Sequence, residues 1–137
     1  MTDTTTTSDT AGAVPAAYLA TIDNYIAMLN ETDEAARRDL AVATWTEDGA
    51  FFDPLLEAKG HDELVAMVGG IHEQLHGQTF RRTSGVDTHN GLVRFGWELV
   101  AEDGTVTVAG IDIGIIAADG RLNRIAGFFG PLAELDG

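Results

Sequence analysis

The stretch Val106–Ile116, read V-T-V-A-G-I-D-I-G-I-I, constrains this chain more than any other. Its β-branched content predicts a strand. Alternate side chains of a strand point to opposite faces, so Asp112 shares one face with Val108, Gly110, Gly114 and Ile116, while Ala109, Ile111, Ile113 and Ile115 take the other. Both faces are apolar, and such a strand requires cover on both sides. A charged Asp112 is costly there unless it is paired, hydrogen-bonded or kept neutral. The glycines flanking it weaken the strand and remove volume from its face, which implies that something other than protein fills that space. Two readings of Asp112 fit: a structural carboxyl satisfied by backbone or an arginine, and a functional group of shifted acidity.

The remainder of the chain sets limits on both readings. With 137 residues and 45% apolar content, it can bury one proper core. Eight Lys and Arg stand against 22 Asp and Glu, and a net charge of −14 repels nucleic-acid phosphates and anionic membrane surfaces alike. No apolar run approaches the ~20 residues that span a bilayer. Cysteine is absent, which excludes disulfides and thiolate chemistry. Without a secretory apolar segment near the start, the expected location is cytoplasmic.

Residues 1–14 are almost devoid of apolar side chains and are expected to form a disordered tail. From Pro15, Tyr18, Ile22, Tyr25 and Leu29 recur at helical spacing, with Leu19 and Ile26 beside them. A second helix, capped by Thr32 or Asp33, is predicted to run through Leu40 to Trp45 and to stop before Glu47-Asp48-Gly49. A short strand over residues 50–53 then meets Pro54, which holds Asp53 extended at the strand end. Asp62 is the expected cap of a third helix whose inward stripe is Leu64, Val68, Ile71 and Leu75, and Gly69-Gly70 predicts a kink or a close contact in it. Beyond Thr79 the period becomes alternating. Asn90-Gly91, Asp103-Gly104 and Asp119-Gly120 divide this region into four strands near 79–88, 92–101, 105–117 and 121–129, an antiparallel meander. Val93, Phe95, Trp97 and Leu99 share one face of the second of these. Three helices followed by a curled sheet make an α+β architecture.

The order of elements, together with Tyr25-Ile26-Ala27-Met28-Leu29-Asn30, the segment Trp45 to Pro54, Gly60-His61-Asp62-Glu63-Leu64, Ile111-Asp112-Ile113 and Phe128-Phe129, resembles the nuclear transport factor 2-like superfamily. This superfamily includes the SnoaL-like polyketide cyclases and the ketosteroid isomerases. The resemblance covers residues 15–131 and leaves 132–137 as a tail. It implies a cone-shaped, cystatin-like α+β fold with three N-terminal helices packed on a curved, mostly antiparallel sheet. Laid over the isomerase pattern, in which a carboxyl is kept neutral in an apolar site, Tyr25 matches the oxyanion-hole tyrosine, Asp53 the general base and Asp112 the protonated acid. The tyrosines that support the isomerase hole are replaced here by Trp45 and Val68. The same overlay turns Phe95, Trp97, Leu99, Ile125 and Phe129 inward, with Gly110 and Gly114, as the lining of a pocket for a flat hydrophobic ligand.

The resemblance thus implies cofactor-free, metal-free proton transfer, an isomerisation or cyclase-like step on a hydrophobic carbonyl compound. The alternative is a hydrophobic-ligand binder or structural member that does no chemistry. Asp53 also fits an Asx turn closing the strand, and Tyr25 also fits a core tyrosine. His72 and His76 have chelating spacing on one helix but no third ligand, and they read as rim histidines. His89 adjoins a hairpin turn. Arg81, Arg82 and Arg94 read as surface cations. The apolar row Ile111, Ile113 and Ile115 predicts a homodimer through the outer sheet face.

Overall fold

The computed structural model describes residues 13–136, so the tail expected over residues 1–14 lies almost wholly outside the described residues. Helix α1 spans Ala16–Asn30 and α2 Glu34–Thr44; strands β1 (Trp45–Phe52) and β2 (Glu57–Lys59) follow, then α3 (Gly60–Gln74). The rest is strand: β3 (Thr79–Arg82), β4 (Asp87–His89), β5 (Leu92–Val100), β6 (Val106–Ile116) and β7 (Leu122–Phe129). Their order in one sheet is β2-β1-β7-β6-β5-β3, with β4 also paired to β5. Among the described residues only β1 and β7 run parallel; the other pairs are antiparallel. The sheet is therefore mixed, and the simple meander describes only β5, β6 and β7.

The long hairpins form where the turn residues place them. Asn90 and Gly91 both adopt positive φ, 50° and 77°, the pairing that a tight hairpin turn demands. The alternation also holds: Val93, Phe95, Trp97 and Leu99 are buried on β5, as is Ile125 on β7. Val93, Phe95 and Ile125 meet Ile22, Tyr25, Met28 and Leu29 of α1 and Leu64, Val65 and Val68 of α3 in one core.

Three boundaries differ from expectation, each for a local reason. Glu47-Asp48-Gly49 lies inside β1 instead of ending α2, because the chain bulges there and the register with β7 slips between Trp45 and Ala50. A side chain at Gly49 would put its Cβ 2.6 Å from the Trp45 ring, and Asn123 of β7 ties the bulge down by donating to Thr46 and Asp48. The strand expected over 79–88 is two strands, since the Ser84 hydroxyl takes the Gly96 amide and lifts the intervening chain off the ladder. Helix α3 begins at Gly60 without Asp62 as its cap. The Lys59 amide donates to the Glu63 carboxylate, and Asp62 pairs with Arg38.

Gly69 proves to be a close contact within an unbroken helix. The buried Arg37 guanidinium lies against it, 3.1 Å from where a Cβ would be, and donates to the carbonyls of Glu31, Thr32 and Val65. It thereby ties the α1–α2 turn to α3. The space above two β6 glycines is also filled by protein, contrary to the sequence expectation. Trp97 lies over Gly110, and Ile125 and Val93 pack on Gly114. On the opposite face of β6, Ile111, Ile113 and Ile115 remain 42%, 40% and 41% exposed, and neighbouring Phe128 is 59% exposed. The strand is covered on one face only in the single chain.

Two alanine substitutions separate these glycine roles. Gly110→Ala places a methyl 2.1 Å from the Phe128 carbonyl oxygen and is expected to lower stability by about 1–3 kcal/mol or more. Gly70→Ala meets nothing within 4 Å and is expected to raise stability by about 1 kcal/mol through helix propensity. Urea unfolding measures both; equal effects of the two would contradict the packing described.

Candidate active site

The polar centre of the molecule is assembled from three elements. The inward stripe of α1 carries Tyr25, the midpoint of β6 carries Asp112, and Asp53 follows the last residue of β1. The Tyr25 hydroxyl donates to Asp112 Oδ2 at 2.9 Å, and both side chains are buried. Trp45 and Phe95 meet the tyrosine ring edge to face, at 6.0 and 6.2 Å between centroids. Of the two positions expected to replace the supporting tyrosines, Trp45 touches the Tyr25 ring and Val68 lies in the same buried core.

Asp112 stands in a cross-strand row with Phe95 on β5 and Gly127 on β7. Gly127 decides how close the two carboxylates come. A Cβ on it would lie 2.8 Å from Asp112 Oδ1 and 3.4 Å from Asp53 Cβ, so the missing side chain is what lets the two aspartates face each other. Gly127 was not singled out in the sequence, although folding β7 back on β6 about the Asp119-Gly120 turn places it opposite Asp112.

Asp53 has a divided role. Its Oδ1 accepts from the amides of Leu55 and Leu56 at 2.8 and 2.7 Å, and its own amide donates to the Leu56 carbonyl. That is the Asx-type turn anticipated as one reading. Oδ2 has no hydrogen-bond donor among the described residues, and Asp53 also borders the internal cavity. One oxygen shapes the loop and the other is free for chemistry.

Burial pushes the Asp112 carboxyl up to about 7, and the charge of Asp53 adds to the rise. The Tyr25 hydroxyl and the Trp97 indole oppose it. The indole N–H has no geometrically satisfactory hydrogen-bond partner, so its opposition comes from proximity. Burial first, and the Asp112 charge second, raise Tyr25 well above the usual phenol range. Near neutral pH, Asp112 therefore exchanges between acid and carboxylate while Tyr25 stays a proton donor.

Two neighbouring spaces with shared walls lie beside these groups. The inner one, about 30 Å³, touches Tyr25, Asp53 and Asp112 and has room for about one water-sized group. The outer one, about 110 Å³, is apolar and lined by Leu55, Leu56, Leu75, Leu99, Val108 and Phe129. Asp53, Ile71, Phe80 and Trp97 border both. Of the expected lining residues, Trp97, Leu99 and Phe129 lie here. Phe95 and Ile125 lie in the closed core, and Gly110 and Gly114 are covered by side chains.

The other candidates stand elsewhere. Arg81 pairs with Glu98, Arg94 with Asp87 and Arg82 with Asp23. His72 Nε2 is bonded to the Leu29 carbonyl, while His76 and His89 are exposed. Among the described residues, no three His, Asp or Glu side chains are grouped to hold a metal ion, and no helix is long and apolar enough to cross a membrane.

The fold and site are thus a helix-covered mixed sheet with a buried Tyr–Asp pair at the inner end of a narrow cavity. No protein-family model matches the sequence, and no curated protein matches it. Solved structures do. A candidate isomerase of the SnoaL-like family from Agrobacterium tumefaciens superposes with a TM-score of 0.79 at 29% identity, covering 84% of this chain and 98% of its own. A nuclear transport factor 2-like protein from Exiguobacterium (TM-score 0.65, 22% identity, 82% and 99% covered) and a candidate SnoaL-like polyketide cyclase from Jannaschia (0.62, 14%, 85% and 90%) share the fold. The chain belongs to the nuclear transport factor 2-like superfamily.

The raised pKa of Asp112 has a signed effect on stability. Between about pH 3.8 and 7 the folded chain holds a proton that the unfolded chain has released, so stability is full below this window and is lost as pH rises through it. Asp112→Asn removes this dependence. From pH 4 to pH 8 the parent is expected to lose on the order of 4 kcal/mol relative to the variant in urea unfolding. Parallel stability profiles would show that Asp112 titrates as an ordinary carboxyl.

Proposed function

We propose that the chain is a cofactor-free proton-transfer catalyst, an isomerase or a cyclase, acting on a hydrophobic carbonyl compound. The observation that carries this reading is the pair of aspartates facing each other across Gly127, one buried and neutralisable, the other with a free oxygen at the cavity. Asp53 takes a proton from the carbon beside the carbonyl, while Asp112 in its acid form hydrogen-bonds the oxygen on which charge develops. Tyr25 acts through Asp112, since its hydroxyl is already given to that carboxyl. Return of the same proton from Asp53 to a different carbon completes an isomerisation. Attack of the enolate on a second carbonyl of the same molecule would instead close a ring. The likeness to a candidate SnoaL-like isomerase supports proton-transfer chemistry at the level of the family.

A second copy of the chain is the proposed cover of the outer sheet face. The centre of that face is the isoleucine row and Phe128, and two of its acids, Asp87 and Glu98, are each held by an arginine. Two copies of a chain with net charge −14 can therefore approach there without meeting unpaired acids at the centre.

Asp53→Asn is expected to slow conversion of β,γ- to α,β-unsaturated ketones by about 10²–10⁴-fold while affinity for a phenol is kept. An unchanged rate would remove Asp53 from the reaction, and absence of turnover in the parent would favour a binder. Tyr25→Phe deletes a bond that lowers the Asp112 pKa, so the alkaline limb of kcat/KM is expected to move to higher pH. A limb that stays in place would break the link between the two residues. Sedimentation at micromolar concentration is expected to give twice the chain mass of 14.5 kDa, and Ile113→Glu the single mass. A monomeric parent would contradict the interface.

A further inference from the structure

The two spaces beside the aspartates fix more than the type of chemistry. Tyr25 and Asp112, the two side chains that could address a ligand oxygen from the closed end, line only the inner space, where about 30 Å³ accommodates one oxygen and little else. The outer space, about 110 Å³, taken with the inner one comes close to the ~150 Å³ cavity that accommodates a benzene ring, and it opens at the Leu55–Leu56 lip, where Leu55 is 79% exposed. Asp53 borders both spaces. A carbonyl oxygen in the inner space therefore puts the neighbouring carbon beside Asp53 and the rest of the molecule in the apolar chamber.

The walls of this chamber are held from behind. Trp97 lies on the bare backbone of Gly110, with Cζ2 2.8 Å from the Cβ position, and its ring is pinned by Phe80 and Phe129 at 5.9 and 6.0 Å. It cannot retreat toward the sheet to admit a second fused ring. No cation lines either space, and two acids do, so a carboxylate or phosphate on the ligand would be repelled.

Resting on the proton-transfer reading above, we infer that the substrate is an uncharged carbonyl compound no larger than one six-membered ring or an equivalent short chain. It enters carbonyl first, and fused-ring ketones are excluded. Residues Leu99 and Val108, on the chamber wall, set this limit.

The test is a binding series by calorimetry with phenol, 2-naphthol and a phenolic steroid, each against the parent, Asp112→Asn, Leu99→Ala and Val108→Ala. Acidity and hydrophobicity alone would favour the larger members, so the predicted order is opposite to the trivial one. The parent is expected to bind phenol at least ~10-fold more tightly than 2-naphthol and to leave the steroid unbound. The two wall variants, of which Val108→Ala keeps the better packed core, are expected to shrink or reverse that ratio. Binding that is tightest for the steroid, yet weakened by Asp112→Asn, would overturn the size limit while leaving the proton-transfer reading intact. Phenol binding that Asp112→Asn does not weaken would overturn that reading and the inference with it. Wall variants that keep the parental order would remove Leu99 and Val108 as the determinants.

Discussion

A carboxyl group without a countercharge sits at the centre of this fold, and the hydrogen bond from Tyr25 to Asp112 is what makes its position tolerable. Burial drives Asp112 toward the neutral form, while the tyrosine hydroxyl holds its charged form within reach near neutrality. Burial is the larger effect, and the hydrogen bond limits the rise to about 7. A fully charged carboxylate would be costly in an apolar core, and a permanently neutral acid would titrate outside the useful range. The packing around the pair serves this balance: Trp45 and Phe95 shield the tyrosine with rings that offer it no competing acceptor.

Glycine does much of the positioning. Gly127 removes the side chain that would otherwise stand between Asp53 and Asp112, and Gly110 gives Trp97 a flat seat that draws the chamber wall close to the sheet. The cavity is narrow because the space these glycines leave is taken by neighbouring side chains. The Asx turn at Asp53 is part of the same construction, since the residue that faces Asp112 also fixes the Leu55–Leu56 lip of the chamber. The site and its entrance are thus built from one carboxylate.

Much of the fold was legible because its signals are local. The alternation along Leu92–Val100 and Val106–Ile116 and the turn pairs between the strands placed the inward strand residues with the right parity, Asp112 among them, and the helical spacing of Ile22, Tyr25 and Leu29 placed Tyr25. The bulge at Glu47-Asp48-Gly49 was not legible, because those residues have the composition of a turn and only their contact with Trp45 and Asn123 keeps them in the sheet. The role of Gly110 and Gly114 was misread for a related reason: a missing side chain shows that a space exists, whereas its occupant comes from another strand. Gly127 required the register of β7 against β6, a non-local quantity that the Asp119-Gly120 turn encodes only when the hairpin is folded back residue by residue.

The central claim, that Asp112 is a carboxyl held near neutrality by burial and by Tyr25, is open to direct observation. The measurement is a pH titration of the aspartate side-chain carboxyl carbons by NMR, with Asp112 assigned through its Asn variant. A midpoint at about 7, moving upward in Tyr25→Phe, is the predicted result. A midpoint near the ordinary aspartate value of about 4, unmoved by loss of the tyrosine hydroxyl, would contradict it.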